Sequence, residues 1–366
     1  MGSSKVEDAS RYRWRLIPSS GRRWWALAQA NKQKSILVGF GVLALIPMVF
    51  QGNSLFRIEL IVIYTTAAVG ANLAIGYAGE LFLGQAAVMA VSAYTAAILT
   101  VNYGWNGWAT LVLSVLAGTI CQLLLALPGL RVGGLQLGLL SFFSVLVVGS
   151  LTDLFPNLTG AEAGIAGLSI LSGSSTGTYE LAVAIFVLSF ILIRNIVVSG
   201  WGLRLRTLRD APNALLTLGI SVRWTKVTVY VVSAIPPALA GWMLAFANEA
   251  VTASLFGLSL TLVLFAGIMI VAPGTLWGPI VGTGLLEAYS QLIGPFSPYN
   301  VLGLGIVMAV AVLVIARIRG SGARSVELVV KLLHKSDAGA PSTRINGVEP
   351  ELTATEQGLA TPQEKR

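Results

Sequence analysis

The chain has 366 residues, 55% of them hydrophobic and only 11% charged, with a formal net charge of +8. A soluble domain carries about 25% charged residues. This composition, with a mean hydropathy of +0.78, therefore excludes the soluble globular class and marks an integral membrane protein. One cysteine, Cys121, and one histidine, His334, leave no intramolecular disulfide, no His/Cys metal cluster and no Cys/His nucleophile pair.

Residues 1–34 are polar and basic, with Trp14, Trp24 and Trp25 among the lysines and arginines. That mixture predicts a cytoplasmic segment with an interfacial helix anchored by its tryptophans. The basic region is too long for a cleavable signal, and no small-residue cleavage site follows it. Its charge suits anionic lipid rather than nucleic acid.

Apolar runs follow at the length that spans a hydrocarbon core of ~30 Å. They are residues 35–50, 58–77, 82–101, 108–127, 135–154, 181–198, 227–247, 258–272, 276–293 and 299–316. The expected fold is all-α, with about ten transmembrane helices between 35 and 316 and both termini cytoplasmic. The eighth and ninth runs are joined only by Pro273-Gly274-Thr275, and the second and third by Ala78-Gly79-Glu80-Leu81. Each join is either a plain turn or a re-entrant break.

Charge tests the count. With ten spans and the N-terminus inside, of the 24 Lys and Arg residues only Arg57 falls outside, and Arg194 lies near the cytoplasmic end of its span. The outer loop 155–180 has no basic residue and carries Glu162 and Glu180. Removing one span would put the basic loop 199–226 and the tail on opposite sides, against the positive-inside rule. The tail 317–366 is polar; Ser325–Lys335 has the pattern of a short amphipathic helix, and the rest reads as disordered.

Several residues interrupt the apolar pattern. Asn72, Gly76, Gly79, Glu80, Gly84 and Gln85 break one block; irregular backbone at membrane depth must be buried in protein or line a cavity. The alternative is a hairpin with Glu80 solvated. Glu287 sits mid-way along the ninth span, where a carboxylate costs about 2.5–3.5 kcal/mol. The sequence offers no second deep acid for a proton relay. Pro236-Pro237 predicts a kink in the seventh span, for packing or for gating. The pairs Gly134/Gly138 and Gly278/Gly282 have the spacing of close helix contacts. No G-x-x-x-x-G-K-[ST] loop occurs anywhere in the chain, so ATP-driven work would require another subunit.

The loop 199–226 carries Arg204, Arg206, Arg209, Arg223 and Lys226 against the single acid Asp210. Within it a short helix is predicted, capped by Asp210, with Pro212 in its first turn and Gly219 ending it. Ala211, Ala214, Leu215 and Leu218 form its apolar stripe. That stripe packs on its own chain, lies on the membrane, or docks into a partner protein.

Four ordered stretches between 71 and 282 resemble the permeases of branched-chain amino-acid ABC transporters. The first is Ala71-Asn-Leu-Ala-Ile-Gly-Tyr-Ala-Gly-Glu-Leu-Phe-Leu-Gly-Gln-Ala-Ala with Ala93-Tyr94-Thr95-Ala96. The others are Leu158-Thr159-Gly160 through Gly164-Ile165, Leu208-Arg209-Asp210-Ala211-Pro212 through Leu218-Gly219-Ile220, and Pro273-Gly274-Thr275-Leu276-Trp277-Gly278-Pro279 through Gly282. The similarity is to the second-type permease of that system, the one with the long LTG loop. Gln85 stands where the family commonly has His, and Leu216-Thr217 where Ala is common.

The resemblance implies an ABC importer permease of the bacterial cytoplasmic membrane. It implies a second homologous permease chain, two cytoplasmic ATPase subunits that bind ATP and magnesium, and an extracytoplasmic solute-binding protein. This chain itself is then no enzyme and holds no cofactor. Residues Arg209, Asp210, Ala211, Pro212, Ala214, Leu215, Leu218 and Gly219 would belong to the helix that seats in an ATPase. Gly79, Gly84, Gln85 and Tyr94 would lie near the solute path. Branched-chain or other hydrophobic amino acids are the implied cargo, with urea, short amides and sugars such as ribose as alternatives within the family. An ion-gradient-driven carrier coupled through Glu287 is the alternative of a different class.

Overall fold

In hydrocarbon every backbone N–H and C=O must find an internal partner, so long apolar runs fold as helices. A computed structural model describes residues 46–130, 134–169, 171, 173–271, 273–292 and 305. The N-terminal segment 1–34, nearly all of the first expected span, the tenth apart from residue 305, and the tail lie outside the described residues. The other eight expected spans are all helical.

In chain order the helices are α1 (Asn53–Asn72), α2 (Gln85–Ala97), α3 (Gly107–Ala126), α4 (Gly134–Leu154), the single turn α5 (Pro156–Thr159) and α6 (Ser175–Val198). Next come α7 (Gly200–Asp210), α8 (Pro212–Thr217), α9 (Val222–Ala247), α10 (Leu258–Val271) and α11 (Gly278–Leu292). Wider turns, Leu73–Tyr77 and Ile98–Asn102, extend α1 and α2. Among the described residues, 7 helices are long and apolar enough to cross a membrane, α10 being counted with the turn Ala253–Phe256 that leads into it. The 15 residues of α11 reach only about 22 Å. Serine caps move several starts outward from the apolar runs. Ser174 accepts from Gly177 N (3.2 Å), so α6 begins before Leu181 and the outer connection shortens to 155–174.

Two sets of connections gather at opposite ends, as alternating spans require. At one end, the stretch 72–80 closing α1 meets α7, α9 and the α10–α11 connection. At the other end, β1 (Ile165–Ala166) pairs antiparallel with β2 (Ala250–Val251), and Asn102 Nδ2 donates to Leu158 O at 3.2 Å. The basic residues of 199–226 sit at the first end, which makes it cytoplasmic.

Helices α1 and α9 form the centre: 89% and 83% of their best apolar windows are buried, against 28% for α3 and for α4, whose apolar flanks are exposed. Close approach falls where side chains are small. A Cβ on Gly70 of α1 would lie 2.7 Å from Pro237 Cδ on α9, and Gly241 of α9 lies on the Met89 backbone of α2. Gly282 of α11 packs on the Gly267 backbone of α10, whereas Gly134 faces open space and Gly138 meets Leu81. Helix α9 runs unbroken through Pro236-Pro237. Nearby, Gln122 Nε2 donates to Tyr230 O (3.0 Å) and Ser233 Oγ (2.7 Å), and Ser92 Oγ donates to Ala238 O (2.6 Å). These bonds hold α2 and α3 to the proline-bearing stretch.

Candidate functional site

The cytoplasmic connection between α6 and α9 is more ordered than a charged loop carrying one short helix. Ser199 accepts from Trp201 N (3.2 Å) and starts α7, which continues through Asp210. Leu205 and Leu208 of α7 are buried, while Arg204, Arg206 and Arg209 remain exposed. The Arg206 guanidinium sits 5.8 Å from the Tyr77 ring centre, at the end of α1. Asp210 therefore does not cap α8. It closes α7 and pairs with Arg209, while Ala211 occupies the cap position without a side-chain bond. Continuing helix through Asp210 leaves its carboxylate behind the first free N–H groups of α8.

Arg209 is turned toward its own protein. Its Nη1 donates to Gly76 O at 2.7 Å, and its Nε donates to Asp210 Oδ1 at 2.9 Å. The acceptor lies in the wide turn of α1, where Ala78 N bonds Leu73 O (3.1 Å) and Glu80 N bonds Ala74 O (2.9 Å). The arginine stem crosses Gly79, whose φ of 72° suits glycine and whose missing side chain leaves room for Arg209 Cγ. From the other side comes the α10–α11 break. Asn72 Nδ2 donates to Thr275 O (2.8 Å), and Asn72 Oδ1 accepts from Gly274 N (3.1 Å). A Cβ on Gly274 would lie 2.7 Å from Gly76 O and 3.1 Å from Arg209 Nη1. The first, third and fourth motif stretches thus converge at one point.

Glu80 is buried, so the solvated-hairpin alternative does not hold. Lys226 Nζ lies 2.6 Å from Glu80 Oε1, and Tyr230 Oη donates to Glu80 Oε2 at 2.8 Å. Both partners stand on α9, just after the loop. The connection 78–84 is irregular backbone held inside protein, with Leu83 N donating to Ser141 Oγ of α4 at 2.9 Å.

Helix α8 has Pro212 at its first position and ends in a Schellman turn: Ile220 N bonds Leu215 O (2.9 Å) and Gly219 N bonds Leu216 O (3.0 Å), with Gly219 at φ 71°. The expected stripe divides. Leu215 is buried and Ala214 half-buried, but Ala211 is exposed and Leu218 is 70% exposed, beside Leu216 at 59%. Leu218 is the C-cap of α8, and it stays exposed although it borders the same groove as Leu215. Leu215 and Leu218 line a groove of about 350 Å³ with Trp201, Leu203, Arg204 and Ile220.

The four residues expected near the path do not share one cavity. Gly79 lies under Arg209, and Gly84 packs near Ser141 O and Ser144 Oγ of α4 (3.1 Å each from an added Cβ). Gln85 is buried with neither amide atom partnered among the described residues, and it borders a cavity of about 10 Å³ with Thr261 and Phe265. Tyr94 borders a separate apolar cavity of about 270 Å³ with Leu151, Leu158 and Thr159, which brings the first motif to the LTG loop.

Glu287 is buried, with Gln291 as a hydrogen-bond partner. It is not the one deep acid: Glu59 is also buried, in α1, which starts at Asn53 rather than at the edge of the apolar run. Among the described residues no three His, Cys, Asp or Glu side chains gather to hold a metal ion.

A bundle of apolar helices with buried breaks at its cytoplasmic end and an anchored helical loop below them defines a polytopic membrane protein. The chain belongs to the family described as branched-chain amino acid transport system / permease component, which matches residues 55–316. It is 26% identical over 307 residues to the high-affinity branched-chain amino acid transport system permease protein LivM of Escherichia coli K12, covering 76% of this chain and 72% of that protein. LivM of Salmonella typhimurium LT2 matches with the same identity and coverage. Among solved structures, a metal-chelate type ABC transporter in an inward-facing conformation matches at 16% identity and a TM-score of 0.44, over 78% of this chain and 98% of that one.

Proposed function

We propose that the chain is the membrane-spanning subunit of an ATP-driven importer for branched-chain or other hydrophobic amino acids. The observation that carries this reading is the α7–α8 unit. Leu216 and Leu218 are exposed at the end of α8, directly after the last turn of α7 that Arg209 ties to the membrane domain, and the chain belongs to a transport permease family. An exposed leucine pair on a rigid mount suits a protein groove, where a few such anchors contribute most of the binding energy. The partners in this reading are two cytoplasmic ATPases carrying ATP and magnesium, a second permease chain and an extracytoplasmic solute-binding protein. The LTG loop and the cavity beside Tyr94 face the side from which solute is delivered.

The test is uptake of labelled leucine into cells or vesicles that contain the chain with its partner subunits. Uptake that requires the ATPases and survives an uncoupler supports the proposal. Uptake that persists without any ATPase and collapses with an uncoupler favours instead an ion-driven carrier using Glu59 or Glu287. Uptake of urea, a short amide or ribose in place of leucine keeps the mechanism and changes the cargo.

A further inference from the structure

We propose that Arg209 is the positioning residue that passes movement of the α7–α8 unit to the breaks at the ends of α1 and α10. This deepens the ATP-driven reading above and rests on it. The α8 tip is exposed, so a push from a partner arrives there and travels into α7. In the last turn of α7, next to α8, Arg209 holds Gly76 O at 2.7 Å, within a turn whose own bonding is already irregular.

The arginine lies between two glycines from different parts of the chain. A side chain at Gly79 would overlap its stem, and one at Gly274 would crowd its Nη1 at 3.1 Å. Asn72 fastens the two breaks to each other through Thr275 O and Gly274 N. Displacing Arg209 therefore displaces both breaks together. The guanidinium is suited to the task because its rigid fork serves Gly76 and Asp210 at once, which a lysine ammonium on one flexible stem does not.

The experiment uses the complete transporter and compares wild type with Arg209→Ala and Arg209→Lys. The expected result for Arg209→Ala is unchanged retention of the ATPases and ATP hydrolysis within about twofold of wild type, while solute moved per ATP falls at least about tenfold. Arg209→Lys should fall between the two. Solute moved per ATP within about twofold of wild type in Arg209→Ala overturns the proposal. Hydrogen exchange on the wild-type transporter gives a second readout that does not depend on the variant folding. A non-hydrolysable ATP analogue should change exchange in 73–80 and 273–277 together with α8; a change confined to α8 overturns the proposal. A wild-type chain that retains no ATPase contradicts the proposed function itself, and is thereby distinguished from failure of this inference.

Discussion

The two ends of the bundle are closed by different means. At the extracytoplasmic end the chain pairs backbone with backbone, Ile165 with Val251 and Ala166 with Ala250, with turns at Gly160 and Gly164 (φ 73° and 72°) and one exposed side-chain bond, Asn102 to Leu158 O, beside them. At the cytoplasmic end single long side chains make the joins, Arg209 to Gly76 O and Lys226 to Glu80. Backbone pairing shares its load over neighbouring bonds and tolerates side-chain changes. A side-chain join is cut by one substitution. The cytoplasmic end is therefore where point changes should separate movement from folding.

The largest effect is expected from Lys226→Ala, which leaves the buried Glu80 carboxylate without its cation; removing one partner of a buried pair costs about 3–5 kcal/mol. Thermal unfolding in detergent measures it, and Glu80→Gln combined with Lys226→Met should recover most of the loss. Gly79→Ala comes next. It forces a side chain to φ 72° and against Arg209, a strain of about 1–3 kcal/mol seen as a lower Tm. At the outer end Thr159→Ala removes hydroxyl bonds to Thr152 O (2.6 Å) and Phe155 O (2.9 Å), worth about 1 kcal/mol in the same assay. Asp210→Asn should be the mildest, since the pair with Arg209 is 41% and 64% exposed; exposed pairs contribute about 0–1 kcal/mol. A loss in Thr159→Ala as large as that in Lys226→Ala would show that the two ends do not differ as described.

What the sequence revealed follows from what is local. The apolar runs marked eight helices in the right order, because hydrophobic length is written in consecutive residues. Pro212 and Gly219 marked the ends of α8 for the same reason. Helix α7 went unread because its arginines obscured Gly202, Leu205 and Leu208, which recur every third residue, and the Ser199 cap was available as a signal. The partners of Arg209 and Glu80 were beyond reach. Gly76 lies 133 residues from Arg209 along the chain, and Tyr230 lies 150 from Glu80. Glu59 was overlooked because polar Asn53 and Arg57 made the start of α1 look like a loop, although the helix buries the acid nearly two turns inside.

Seating of α8 in a partner ATPase is tested most directly by Leu218→Asp. This residue is 70% exposed, so the change leaves the core of the chain untouched. With the variant present in the membrane at wild-type level, loss of ATPase retention and of leucine uptake is expected. Normal uptake by Leu218→Asp would contradict the docking of this helix.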